Sequence, residues 1–292
     1  MSLSQKIHPA VVGTALAVML AVSSLAESVD SAIDDAVDSA IDDAVKGSWR
    51  SPANTARDQW RKPVEALTFW GLKPGMKVLE ISPGGGWWTE ILAPYARLSK
   101  GTYSATAADL GNPELSQAAK DSRAQFEKRF SDQSVYGQIT FVNFGAKSVG
   151  LGQPNSADFV LTGRNIHNWM AIGSLDKVLA ESFAVLKPGG VFAIEEHRNA
   201  ADAVQDPKAP TGYVTEAFVI AAAEKAGFKL AARSDLYSNS KDDRDHPFGV
   251  WTLPPTRRSA PQGQPADPKF DSSPYDAVGE SDRMALRFVK PN

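Results

Sequence analysis

Val78-Leu79-Glu80-Ile81-Ser82-Pro83-Gly84-Gly85-Gly86-Trp87-Trp88-Thr89-Glu90 decides how the rest of the chain is read. A short apolar run ends in a proline and three glycines, and a helical pattern resumes from Trp87 to Leu98. Glycines between a strand and a helix let backbone approach a ligand closely, and the exposed helix N-terminus favours an anionic group. A tight turn with no ligand needs the same residues, so the cluster alone decides little.

The neighbouring segments give it context. Lys77–Ser82, Gly101–Ala107, Ile139–Phe144, Asp158–Leu161, Val191–Glu196, Phe228–Asp235 and Arg283–Val289 read as short, mostly apolar strands. Helical patterns lie between them at Pro52–Phe69, Trp87–Leu98, 113–130, Ser174–Leu186 and Val214–Ala226. Asn112 is placed to cap the third of these, with Pro113 at its first position. This alternation predicts an α/β fold with a mostly parallel sheet covered on both faces. The last two strands have no helix between them, which predicts an antiparallel final pair. Ligands in such sheets sit beyond the carboxyl ends of the strands. Residues 237–282 lack periodicity, and a loop that long is usually functional or disordered. Its apolar part, His246 to Pro255, reads as a docked lid.

The chain has 292 residues, 42% of them hydrophobic and 22% charged, which excludes a multi-span membrane protein and a wholly disordered one. A net charge of −3 gives no electrostatic case for a nucleic-acid partner. With no cysteine, disulfides, thiolate metal sites and Cys nucleophiles are excluded. Lys6, the uncharged run Ala10–Ala26 and the small residues of Ser24-Leu25-Ala26 read as a signal peptide over 1–26, so we expect an exported, periplasmic protein with no membrane span after cleavage. Residues 27–47 carry an octad, Val29 to Ala36, repeated unchanged as Val37 to Ala44, with an Ala-rich apolar face. It reads as a weak helix or a solvated acidic spacer, leaving 48–292 as the domain.

Glu80-Ile81-Ser82-Pro83-Gly84-Gly85-Gly86 resembles the acidic-x-Gly-x-Gly-x-Gly turn of class I S-adenosylmethionine-dependent methyltransferases. Leu186-Lys187-Pro188-Gly189-Gly190 is similar to that family's turn into its fifth strand. Ala157-Asp158-Phe159-Val160-Leu161, with Asn165 and His167 beyond it, is similar to the fourth strand and the active-site residues after it. Pro83 to Tyr95 and Asn165-Ile166-His167-Asn168-Trp169 resemble a group of exported bacterial proteins classed as methyltransferases. The resemblance implies a Rossmann-like sheet of seven strands, the cofactor S-adenosyl-L-methionine, and methyl transfer to a small molecule that it does not name. It also implies that Glu80 orients the cofactor's amino end, while Ser82, Pro83, Gly84, Gly85 and Gly86 carry its methionine portion.

Three positions depart from the pattern. Ser82 replaces the usual first glycine, Ala107 stands where an acidic residue meets the ribose, and Gly145 where another meets the adenine. Asp109 and Asn143 are the nearby substitutes.

Of four histidines, His8 falls in the signal. His167 and His197 follow the fourth and fifth strands and His246 lies in the long loop, so all three are candidates for one pocket. His167 is the leading proton acceptor, with Asn165 and His197 beside it as catalytic candidates. Three histidines with Glu195, Glu196 or Asp245 also suit a divalent metal, although no local metal motif is matched and none is assigned. Two other functions stay open: a periplasmic binding protein without turnover, and a His-based metal-dependent hydrolase. The oligomeric state is not legible.

Overall fold

The computed structural model describes residues 39–292. The expected signal peptide and most of the octad segment lie outside them. Residues 39–45 are helical, and Ile41 and Ala44 are fully buried in the core. Part of the second octad therefore packs with the domain, ahead of the expected boundary at 48. Ile41 and Ala44 belong to the same buried cluster as Leu67 and Trp70.

The helices are α1 (Pro52–Thr55), α2 (Asp58–Arg61), α3 (Pro63–Trp70), α4 (Thr89–Leu98), α5 (Gln117–Arg129), α6 (Gln133–Tyr136), α7 (Ile166–Ala171), α8 (Leu175–Val185), α9 (Glu216–Lys225) and α10 (Ser273–Val278). The strands are β1 (Lys77–Ile81), β2 (Thr102–Ala108), β3 (Ile139–Phe144), β4 (Ala157–Gly163), β5 (Leu186–His197), β6 (Lys229–Ser234) and β7 (Arg283–Val289). All seven predicted strands form. The expected helix over 52–69 is three short ones; the second break falls at Lys62, which precedes Pro63 and leaves the right-handed helical region at φ 37°. Helix α5 starts later than Asn112, which instead closes a local turn with the backbone of Glu114; Ser116 is the cap, accepting from the Ala119 N–H at 3.2 Å. The Lys187-Pro188-Gly189-Gly190 turn is absorbed into β5. There Gly189 adopts φ 75° and its N–H donates to Lys290 O at 2.8 Å.

The sheet runs β3-β2-β1-β4-β5-β7-β6, parallel except for β7, which is antiparallel to both neighbours. Alternation along each strand sends side chains to opposite faces. Val78, Phe159, Leu161 and Ala193 pack with Trp70, Trp88 and Ile91 on one face. Leu79, Ile81, Val160, Phe192 and Ile194 pack with Trp169, Val178 and Leu179 on the other. Chain order reverses between β1 and β4, so the carboxyl ends of these neighbours, Ile81 and Thr162, frame the crevice.

Candidate active site

The glycine turn rises from β1 and is fixed from two sides. Ser82 sits at φ 55°, the left-handed conformation for which glycine is the usual choice, so its departure from the pattern is accommodated rather than remodelled. Its N–H donates to Thr106 Oγ1 at 2.8 Å. Asn165 Nδ2 donates to Ser82 O at 3.2 Å and lies within 3.1 Å of Thr162 Oγ1 and Gly163 O, tying the ends of β1 and β4 together. The amide nitrogen of Asn165 is thus committed to backbone and is a positioning group. A Cβ placed on Gly84 or Gly85 would meet nothing within 4 Å, so both open onto free space. At Gly86 (φ 79°) it would come within 2.6 Å of Phe130, a purely structural demand for glycine.

Glu80 lies behind this turn, buried on the α4 face, and does not line the cavity. Its Oε2 accepts from Thr89 Oγ1 at 3.0 Å and from the Tyr103 hydroxyl. Burial raises its carboxyl to about 7 despite both donors.

A cavity of about 300 Å³ opens beside Gly84 and Gly85. His167 and His197 line it, with Arg57, Arg61 and Arg164, and the lid contributes Trp251, Pro254 and Pro255. The docked lid is therefore real over this stretch, with Leu253 fully buried beneath it. His167 Nδ1 donates to Glu196 Oε1 at 2.9 Å. That buried carboxylate also accepts the backbone N–H of His197 at 2.8 Å and, through Oε2, of His167 at 3.3 Å. Donation from Nδ1 leaves the His167 Nε2 lone pair as the ring's free acceptor. The His197 ring centroid is 5.3 Å away, and its Nδ1 lies 2.5 Å from Ser281 Oγ. Burial first, then His167, Arg164 and Arg283, hold the His197 imidazole well below its ordinary pKa, so it is neutral at pH 7.

His246 does not join them. It is buried elsewhere, with Nε2 2.8 Å from Asp242 Oδ1, and it packs against Tyr213 and Tyr275. The expected convergence of three histidines fails because the Asp242 carboxylate, inside the loop, takes this one.

Residues 79–194 match a family described as "Methyltransferase domain". With the 3-2-1-4-5-7-6 sheet and the glycine turn, this settles the family. These residues form a methyltransferase domain of the class I S-adenosylmethionine-dependent superfamily. The chain is similar to a ubiquinone/menaquinone biosynthesis C-methyltransferase of Shewanella pealeana, 26% identical over 43% of this chain and 44% of that protein. It is also similar to a sterol 24-C-methyltransferase of Schizosaccharomyces pombe, 25% identical over 64% of this chain and 47% of that protein. The matches thus span about half the length of these relatives. Among solved structures, a SAM-dependent methyltransferase from Aquifex aeolicus superposes with a TM-score of 0.46, at 19% identity, over 63% of this chain and 87% of that one.

Within the methyltransferase domain, the nucleoside side departs from expectation. Pro83 and Gly84 also border a second cavity of about 240 Å³, walled by Thr106, Ala107, Ser122, Arg123 and Phe126. Asp109 and Asn143 are not in its wall. Asp109 Oδ1 accepts the Gly111 N–H at 2.9 Å, closing its own turn, and Asn143 Oδ1 accepts from Arg123 Nη1 at 2.5 Å. Each keeps its other polar atom, and both side chains line a neighbouring cavity with Lys147 and Ser148. Arg123, which sequence reasoning missed, spans the ends of β2 and β3 by donating also to Ala108 O. Arg57, Arg61 and Arg164 were missed as well. The i, i+4 spacing of Arg57 and Arg61 beside Trp60 was a readable sign of a basic helical face.

Proposed function

We propose that the protein transfers a methyl group from S-adenosylmethionine to a small-molecule acceptor, with His167 as proton acceptor. One observation carries this reading: His167, held by Glu196, lines the same cavity as Gly84 and Gly85. The residues present suit the cofactor, because Gly84 and Gly85 offer backbone with open space above it, and a separate cavity adjoins Gly84 on the nucleoside side. Bound there, S-adenosylmethionine supplies an electrophilic methyl group.

The chain's own work is positioning and proton transfer. Glu196 fixes the imidazole in the Nδ1–H tautomer and stabilises the imidazolium that forms. The acceptor's nucleophilic atom loses its proton to His167 Nε2 as it takes the methyl group. Trp251, Pro254 and Pro255 give the cavity an apolar wall. We read Lys6 and the Ala10–Ala26 run as support for export, with the mature chain starting at Glu27 in the periplasm.

A metal-based reading draws on His167, Glu196 and His197, whose ligand atoms lie within 4.8 Å of one another. Arg57, Arg61 and Arg164 line the same cavity and work against a dication there.

The test uses the mature protein, S-adenosylmethionine labelled in the methyl group, and a small-molecule extract from the host cell. Label should pass to an extract component. His167→Gln should cut transfer at least tenfold and leave S-adenosylhomocysteine affinity within threefold. Binding without any transfer supports the non-catalytic alternative, and transfer undiminished by His167→Gln removes the histidine from the mechanism.

A further inference from the structure

The cavity wall holds more positive charge than its carboxylates match. Arg57, Arg61, Arg164 and Arg283 form one cluster around two carboxylates, Glu280 and Glu195. Glu280 accepts from Arg57 Nε at 2.8 Å, Arg61 Nε at 3.0 Å and Arg283 Nη1 at 2.8 Å. Glu195 Oε1 accepts from Arg164 Nη1 and Arg283 Nη1, each at 2.7 Å. Glu196 is occupied by His167 and two backbone N–H groups. Counting Glu196, whose carboxylate also acts on Arg164, four guanidinium groups face three carboxylates and one positive charge is left uncompensated. The side chains of Arg61 and Arg283 are 3% and 2% exposed, and Arg61 Nη1 is buried with no hydrogen-bond partner. Unpaired buried charge is costly, so a cluster of this kind is built to receive an anion.

We infer that the methyl acceptor carries an anionic group, a carboxylate or phosphate, bound beside His167 by Arg57, Arg61 and Arg164. The inference rests on the methyltransferase reading. The cofactor does not remove the excess: its carboxylate can pair with one guanidinium, but its ammonium and sulfonium leave it with a net positive charge. Arg57 and Arg164 each spend one side-chain nitrogen on a carboxylate, leaving the rest of two forks of the kind that engages carboxylate or phosphate in bidentate fashion. Arg61 also lies 4.9 Å over the Trp87 ring, and Trp87 and Trp251 both line the cavity, so its walls suit a flat apolar body behind the anion. A volume near 300 Å³ restricts that body to a small one.

The experiment compares benzoate and phenyl phosphate with uncharged benzamide, by calorimetry on the mature protein saturated with S-adenosylhomocysteine and again without it. At least one anion should bind tenfold or more tighter than benzamide. Arg57→Gln, at the more exposed end of the cluster, should erase that preference and keep S-adenosylhomocysteine affinity within threefold. Equal affinity for all three probes, or binding of neither anion, overturns the inference without any reliance on a variant. So does an Arg57→Gln protein that loses S-adenosylhomocysteine but keeps the anion preference, since the arginine then serves the cofactor. Failure of the unaltered protein to bind S-adenosylhomocysteine contradicts the methyltransferase reading instead, and the series without it still reports the anion preference.

Discussion

Glu196 Oε1 lies 2.9 Å from His167 Nδ1, and Glu196 is itself fully buried. Glu196 is the penultimate residue of β5 and His167 the second of α7, so a contact across two elements sets the histidine's tautomer and aim. Breaking it should change the base without dismantling the sheet. Glu196→Gln keeps the shape but removes the charge that stabilises an imidazolium. We expect methyl transfer to fall at least tenfold, with S-adenosylhomocysteine affinity nearly unchanged, in the labelled-methyl assay. Equal rates in the two proteins would reduce Glu196 to a structural carboxylate.

Gly84→Val tests the turn. At φ 57° a β-branched residue is strained, and its side chain would occupy the open space above the backbone. Calorimetry should show S-adenosylhomocysteine binding weakened at least tenfold, while circular dichroism retains the α/β signal. Affinity kept within a few-fold would make the turn structural only.

Glu80 gives a pH prediction. Its carboxyl ionises near 4.5 in the unfolded chain and near 7 in the folded protein. Below about 4.5 it is protonated in both states, so the fold carries no ionisation penalty. Between 4.5 and 7 only the unfolded state releases the proton, so stability falls as pH rises, by about 3 kcal/mol across that window, and then levels off. Glu80→Gln should flatten this part of the Tm–pH profile and raise Tm at pH 8. A profile with the same slope in both proteins would show that the carboxyl does not titrate in this window.

Much of this was legible in the sequence because the strands are apolar, short and separated by helical periods. Ile139–Phe144 and Arg283–Val289 have the bounds that the pattern predicts. The glycine turn was legible for the same reason. What escaped reading depends on long-range pairing. Asp109 and Asn143 each give one oxygen to a neighbour, Gly111 and Arg123, and they line a different cavity from the one beside Gly84. His246 has the right residue type, yet Asp242 lies four residues away and holds it. The arginine cluster joins positions as distant as Arg61 and Glu280, a pairing that no local pattern encodes.

The octad helix was misjudged because an Ala-rich face looks weak in isolation. Ile41 is fully buried against the core nevertheless. Ile41→Ala should destabilise the domain by about 2–5 kcal/mol, lowering Tm by several degrees in a thermal melt. An unchanged Tm would show that residues 39–45 contribute little to the fold.

The most direct test of the account is calorimetric titration of the protein beginning at Glu27 with S-adenosylhomocysteine. The structure predicts saturable binding at one site per chain, retained in His167→Gln and lost in Gly84→Val. No heat of binding in the unaltered protein, under conditions where it is folded, would contradict the assignment of the glycine turn and its cavity to S-adenosylmethionine.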